Sequence, residues 1–182
     1  MKKALVLSAS LIVLFTLPAI ATAQQSAHRD DRDTLVKFDG GIGVLPLASG
    51  VGLAPTATVV NRNIVRGVQP AGQIWVISAL RADVKTDGRI HVDGRGLLLG
   101  GGNLIGFTAN ASVFATLICE ATAPFTEHST DTAGVPLEPD GDFRIDDVLT
   151  PAPLADCASP VLLIRVAGAN PAWFAAGIPK LR

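Results

Sequence analysis

Ile74-Trp75-Val76-Ile77-Ser78-Ala79-Leu80-Arg81-Ala82-Asp83-Val84-Lys85-Thr86-Asp87-Gly88-Arg89-Ile90-His91-Val92 alternates apolar and polar side chains on either side of one turn. Ile74, Val76, Leu80, Ala82 and Val84 fall on one face, and Arg81, Asp83 and Lys85 on the other. A period of two is that of a strand with one buried side. Thr86-Asp87-Gly88 separates Val84 from Ile90, and Asp-Gly between alternating segments is a strong hairpin signal. In this register His91 alternates with Ile90 and Val92 and faces solvent.

The rest of the chain repeats this pattern. Apolar runs at Leu35–Phe38, Ile42–Leu47, Ala57–Val60, Val113–Cys119, Phe143–Ile145 and Val161–Val166 are short, rich in Val and Ile, and fenced by glycine and proline. Asp140-Gly141 predicts a second hairpin turn ahead of Phe143. Leu104 to Ala121 is apolar, but Thr108, Asn110 and Ser112 interrupt it and Gly106 weakens it. It reads as a turn followed by a buried strand, not as a membrane helix of some 20 apolar residues. The expected fold is all-β: a single-domain antiparallel β-sandwich over residues 35–182, with a partly open β-barrel as the alternative.

Ahead of this domain, Lys2 and Lys3 precede an apolar run from Ala4 to Leu17, and Ala21-Thr22-Ala23 supplies small residues at a cleavage position. That order predicts a signal peptide over residues 1–23, a mature chain from Gln24, and export to the periplasm or beyond. Residues 24–34 are polar, with His28 to Asp33 ionisable throughout, and read as a flexible tail. His28-Arg29-Asp30 matches a kinase tripeptide by coincidence, since no asparagine follows at the required spacing. Cys119 and Cys157 are the only cysteines. In an oxidising compartment they are expected to form a disulfide, which for a loop of this length stabilises by about 4 kcal/mol.

Composition narrows the function. The full chain carries a formal charge of −1, and loss of Lys2 and Lys3 makes it more acidic, which argues against a nucleic-acid partner. Aromatic residues are 5% and tyrosine is absent, so a sugar cleft or an aromatic girdle would be poorly furnished. No stable membrane insertion is expected once the signal is removed.

Motifs that carry chemistry fail on inspection. Gly41-Ile42-Gly43 meets Pro46 where a third glycine is required, and Gly100-Gly101-Gly102 has no lysine after it, so neither is a nucleotide loop. Asp83 to Gly94 lacks the acid that ends an EF-hand loop. No G-x-S-x-G occurs, which leaves a hydrolase only if its residues are dispersed along the chain. Glu127-His128 with Asp131 is the one cluster with metal or acid–base composition, and it lies in a polar loop. Asp140, Asp142, Asp146 and Asp147 are the acidic turn residues on which calcium is conceivable. No cofactor is expected.

Asn63-Ile64-Val65-Arg66-Gly67-Val68-Gln69-Pro70, Trp75-Val76-Ile77, Asp93 to Leu99, Asp140 to Asp147 and Ser159 to Arg165 resemble segments of small exported bacterial proteins. The likeness covers about two-thirds of the chain. It implies a bacterial, exported, single-domain protein and brings no substrate or catalytic residue with it. The functional expectation is a non-enzymatic binding or envelope-interaction module, with an envelope protein as partner and an exposed strand edge as docking surface. The alternative is a metal-binding protein or metal-dependent enzyme using Glu127, His128 and Asp131.

Overall fold

The computed structural model describes residues 33–48 and 61–180. The expected signal peptide, most of the expected tail and the segment Ala57–Val60 lie outside the described residues. The unit from Asp33 to Arg182 is compact by itself. Its described residues form thirteen strands: β1 (Thr34–Gly43), β2 (Leu47–Ala48), β3 (Asn61–Arg62), β4 (Trp75–Val76), β5 (Ala79–Lys85), β6 (Arg89–Arg95), β7 (Leu98–Leu99), β8 (Ser112–Ile118), β9 (His128–Ser129), β10 (Val135–Pro136), β11 (Phe143–Val148), β12 (Val161–Val166) and β13 (Trp173–Pro179).

Nine of them form one sheet in the order β10-β8-β12-β13-β1-β5-β6-β11, with β9 also pairing β8. Every neighbouring pair is antiparallel. The sheet curls until its two ends meet. Ser129 and Thr150 exchange both backbone hydrogen bonds, and the Glu138 N–H donates to the Asp142 carbonyl. Between these two staples no backbone ladder joins β10 to β11 among the described residues. The Asp131 N–H crosses instead to the Asp147 carboxylate at 2.8 Å.

The molecule is therefore a nearly closed barrel with one unsealed seam. This overturns the β-sandwich expectation, because one continuous sheet wraps the core where a sandwich needs two. The partly open barrel, held as the alternative, is the architecture found. A barrel removes the free sheet edges that a sandwich exposes.

Register explains the packing. Phe38 pairs Ala82, Ala82 pairs Val92, and Val92 pairs Ile145, giving one inward row of apolar side chains across four strands. These residues are buried, as are Leu80, Val84, Ile90 and Phe143. The intervening rows carry charges, so this wall faces water.

On the opposite wall β8 and β12 are buried on both faces, which is why they read as unbroken apolar runs. The segment from Asn63 to Ala71 covers the outer face there. The Arg66 guanidinium donates to the carbonyls of Ile118 and Ser159 and to the Ser159 hydroxyl, and the Trp173 indole donates to the Asn63 carbonyl. Cys119 and Cys157 are bonded at a separation of 38 residues, as expected, near this clamp.

The hairpin at Thr86-Asp87-Gly88 forms as read, with Gly88 at φ 87°, a conformation open to glycine. The long stretch before it does not stay one strand. It breaks at Ile77-Ser78, so Ile74 and Val76 leave the buried row and stand exposed in or beside β4. β4 pairs β7 across the end of the barrel, and below it Trp75 stacks on Phe174 with ring centroids 4.0 Å apart.

Candidate functional site

Three surfaces hold the residues with chemical capacity, and the loop singled out in the sequence is the first. Glu127 is drawn to Arg165, whose buried guanidinium lies 2.5 Å from the carboxylate. The same guanidinium reaches Thr116 Oγ1 and the Pro171 carbonyl, and lies over the Phe114 ring. His128 is buried on β9, and its Nδ1 donates to the Pro151 carbonyl at 2.7 Å. Asp131 is exposed and accepts the Ala133 N–H within its own turn. The three side chains thus serve three different structures. Burial of an Arg needs a carboxylate partner, and Glu127 supplies it.

The acidic turn residues are divided in the same way. Asp140 accepts the Asp142 N–H, and Asp142 accepts the Gly96 N–H. Asp146 and Asp147 are neighbours on β11 and therefore point to opposite faces. Among the described residues, no group of three or more His, Cys, Asp or Glu side chains is placed to hold a metal ion.

The second surface is the charged wall of β1, β5, β6 and β11. Its outward rows run Lys37, Asp83, His91, Asp146 and Asp39, Arg81, Asp93, Arg144 in register across the four strands. An open groove of about 730 Å³ follows the part of these rows on β1, β5 and β6, and Arg95 and Lys180 also line it. Signs alternate across the strands, and the carboxylates are spoken for. Asp39 lies near Arg81 and Lys180, Asp83 near Lys85, and Asp93 near Arg95. His91 Nδ1 meets Asp146 Oδ1, and this hydrogen bond, with a further one from Arg144, holds the Asp146 carboxyl below its ordinary range. Asp87 is lowered chiefly by the Arg89 N–H, and Glu120 chiefly by the Thr126 N–H. The pairings of Asp39, Asp83, Asp93 and Asp146 are structural ones on an exposed wall. His91 is outward-facing, as its alternation predicts.

The third surface was not read in the sequence as a site. At the barrel end, Ile42, Leu45, Leu47, Ile74, Val76, Leu104, Ile105 and Phe107 are all exposed. Ile105 and Phe107 are the extreme cases at 62% and 63%. Hydrogen bonds tie the segments that carry them into one surface. Trp75 donates to the Val44 carbonyl, Gly100 to Ile74, Leu99 to Phe107 and Gly106 to Leu99, while β2 pairs β3 alongside. Scattered exposed apolar residues are ordinary, but a contiguous group marks a contact surface.

No ionisable side chain occurs between Asp39 and Arg62, between Arg66 and Arg81, or between Arg95 and Glu120. Those three stretches contain all eight of these apolar residues. Their lack of charge was legible, but apolar runs were assigned to the core, where most such runs belong.

Neither family models, nor curated proteins, nor solved structures match this chain.

Proposed function

We propose that the chain is an exported, non-enzymatic binding module that docks on a component of the cell envelope through the uncharged end of its barrel. One observation carries the reading: eight large apolar side chains, joined by backbone hydrogen bonds, stand exposed at that end without a charge among the stretches that supply them. The acid–base groups elsewhere support it, because Glu127, His128, Asp146 and Asp147 are each engaged in holding the barrel together.

The test is a photo-cross-linking residue placed at Phe107 or, as a control, at Arg81 on the charged wall, in cells that export the protein. Adducts from position 107 and none from 81 are expected. Equal labelling at both positions, or none at either, overturns the reading. A metal site on Glu127, His128 and Asp131 is the competing proposal. It requires those side chains to leave Arg165, Pro151 and the Asp131–Ala133 turn. Metal analysis of protein purified without chelator decides it, and a stoichiometry near one replaces the docking reading.

A further inference from the structure

We infer that the component met by the uncharged end is the hydrocarbon of a lipid bilayer, so that the barrel sits end-on at a membrane surface. This inference rests on the docking reading above and names its partner.

Charge matching is the first argument. Here the loop Leu104-Ile105-Gly106-Phe107 and its neighbours Ile74 and Val76 belong to stretches with no ionisable group of either sign. Such a surface complements an uncharged phase. It also lacks the lysine and arginine cluster through which a protein is drawn to anionic headgroups.

The second argument is the backbone. Entry into hydrocarbon is tolerated only where N–H and C=O groups are satisfied within the protein. The tip meets this condition at several positions. Leu99 N–H bonds the Phe107 carbonyl, Gly106 N–H the Leu99 carbonyl, Phe107 N–H the Leu104 carbonyl, and Gly100 N–H the Ile74 carbonyl. These four bonds pin the loop, and its exposed side chains present hydrocarbon to hydrocarbon. In sequence, charges resume at the borders of these stretches, at Asp39, Arg62, Arg66, Arg81, Arg95 and Glu120.

No helix among the described residues is long and apolar enough to cross a membrane. The contact inferred here is interfacial, with binding that follows buried apolar area.

The experiment is flotation of the protein purified after export, with its disulfide formed, on vesicles of phosphatidylcholine and of phosphatidylcholine with phosphatidylglycerol. The expected result is flotation with both, unchanged between about 0.1 and 0.5 M salt, because no charge attraction is involved. Phe107→Ser and Ile105→Asn should each weaken partitioning by about tenfold or more. Both positions are exposed, so their melting temperatures should stay at the wild-type value and separate lost binding from lost folding. Arg81→Gln should float as wild type.

Failure to float with either vesicle overturns the inference, as does flotation that needs phosphatidylglycerol or survives both substitutions. Capture of single lipid molecules without flotation also overturns it. The cross-link at Phe107 separates the two proposals. A protein adduct there with no flotation removes the membrane and keeps docking, whereas no adduct and no flotation removes both.

Discussion

Gly94→Ala should destabilise the barrel through one side chain. Gly94 pairs Phe143 across β6 and β11, and a Cβ at position 94 would lie 2.1 Å from Cε1 and Cζ of that ring. Non-bonded carbons settle at about 3.5–4.0 Å, so the ring would have to move by roughly 1.5 Å. Phe143 is 5% exposed, and its outlet is the seam, where a cavity of about 350 Å³ lies between Val135, Pro136 and Phe143. Overpacking of this kind costs about 2 kcal/mol, which lowers Tm by roughly 4–8 °C in a domain of this size.

Phe143→Leu removes the ring tip and leaves a void, costing about 1–2 kcal/mol alone. In the double variant the added methyl occupies the space that the ring vacated. Its loss should be close to that of Phe143→Leu alone, well short of the sum of the two. Urea titration of all four proteins at 25 °C measures this cycle. If Gly94→Ala melts with wild type, or if the two losses simply add, the argument from close approach is refuted.

Three further outcomes follow from other contacts. Replacing Cys119 and Cys157 by serine opens a loop of 38 residues and should cost about 4 kcal/mol, seen as a Tm roughly 10 °C lower than that of the oxidised protein. Arg66→Ala loses the bonds to Ile118 and Ser159 and the stacking on Phe125, about 1–3 kcal/mol by chemical denaturation. Arg66→Gly should lose less, because φ is 48° there. The Asp146 carboxyl is held below its ordinary 3.8 by His91, so its contribution is present above that value and is lost as pH falls through the folded pKa. The group is exposed and the effect small; melts between about pH 5 and 2 should flatten in His91→Gln relative to wild type.

Local features of the fold were legible, and its closure was not. The hairpin at Asp87-Gly88 and the strands at Val113 and Val161 follow from nearest-neighbour patterns that sequence displays directly. The hairpin expected at Asp140-Gly141 is a turn only, because β10 and β11 form no ladder among the described residues. Trp173–Pro179 was missed because Phe174-Ala175-Ala176-Gly177 has little strand propensity and no alternation. That strand lies between β12 and β1 and joins the two halves of the sheet. Without it the remaining strands divide into two groups, which is how a sandwich is composed. The disulfide was legible because only two cysteines exist. The apolar end was not read as a site because exposure is a tertiary property: Leu97 is buried, while Leu104 is exposed in the same run.

The placement of β13 also governs when the protein exists as a folded object. Its partner β1 begins at Thr34, and the strand that must bond to it ends at Pro179. A chain delivered from its N-terminus, whether from a ribosome or through a translocation channel, can form the β5–β6 hairpin early. It cannot join the two halves of its sheet until the segment through Pro179 has arrived. Pairing at such sequence distance is slow. Until β13 has been made, the sheet stays in two halves and quality-control proteases are offered an open form.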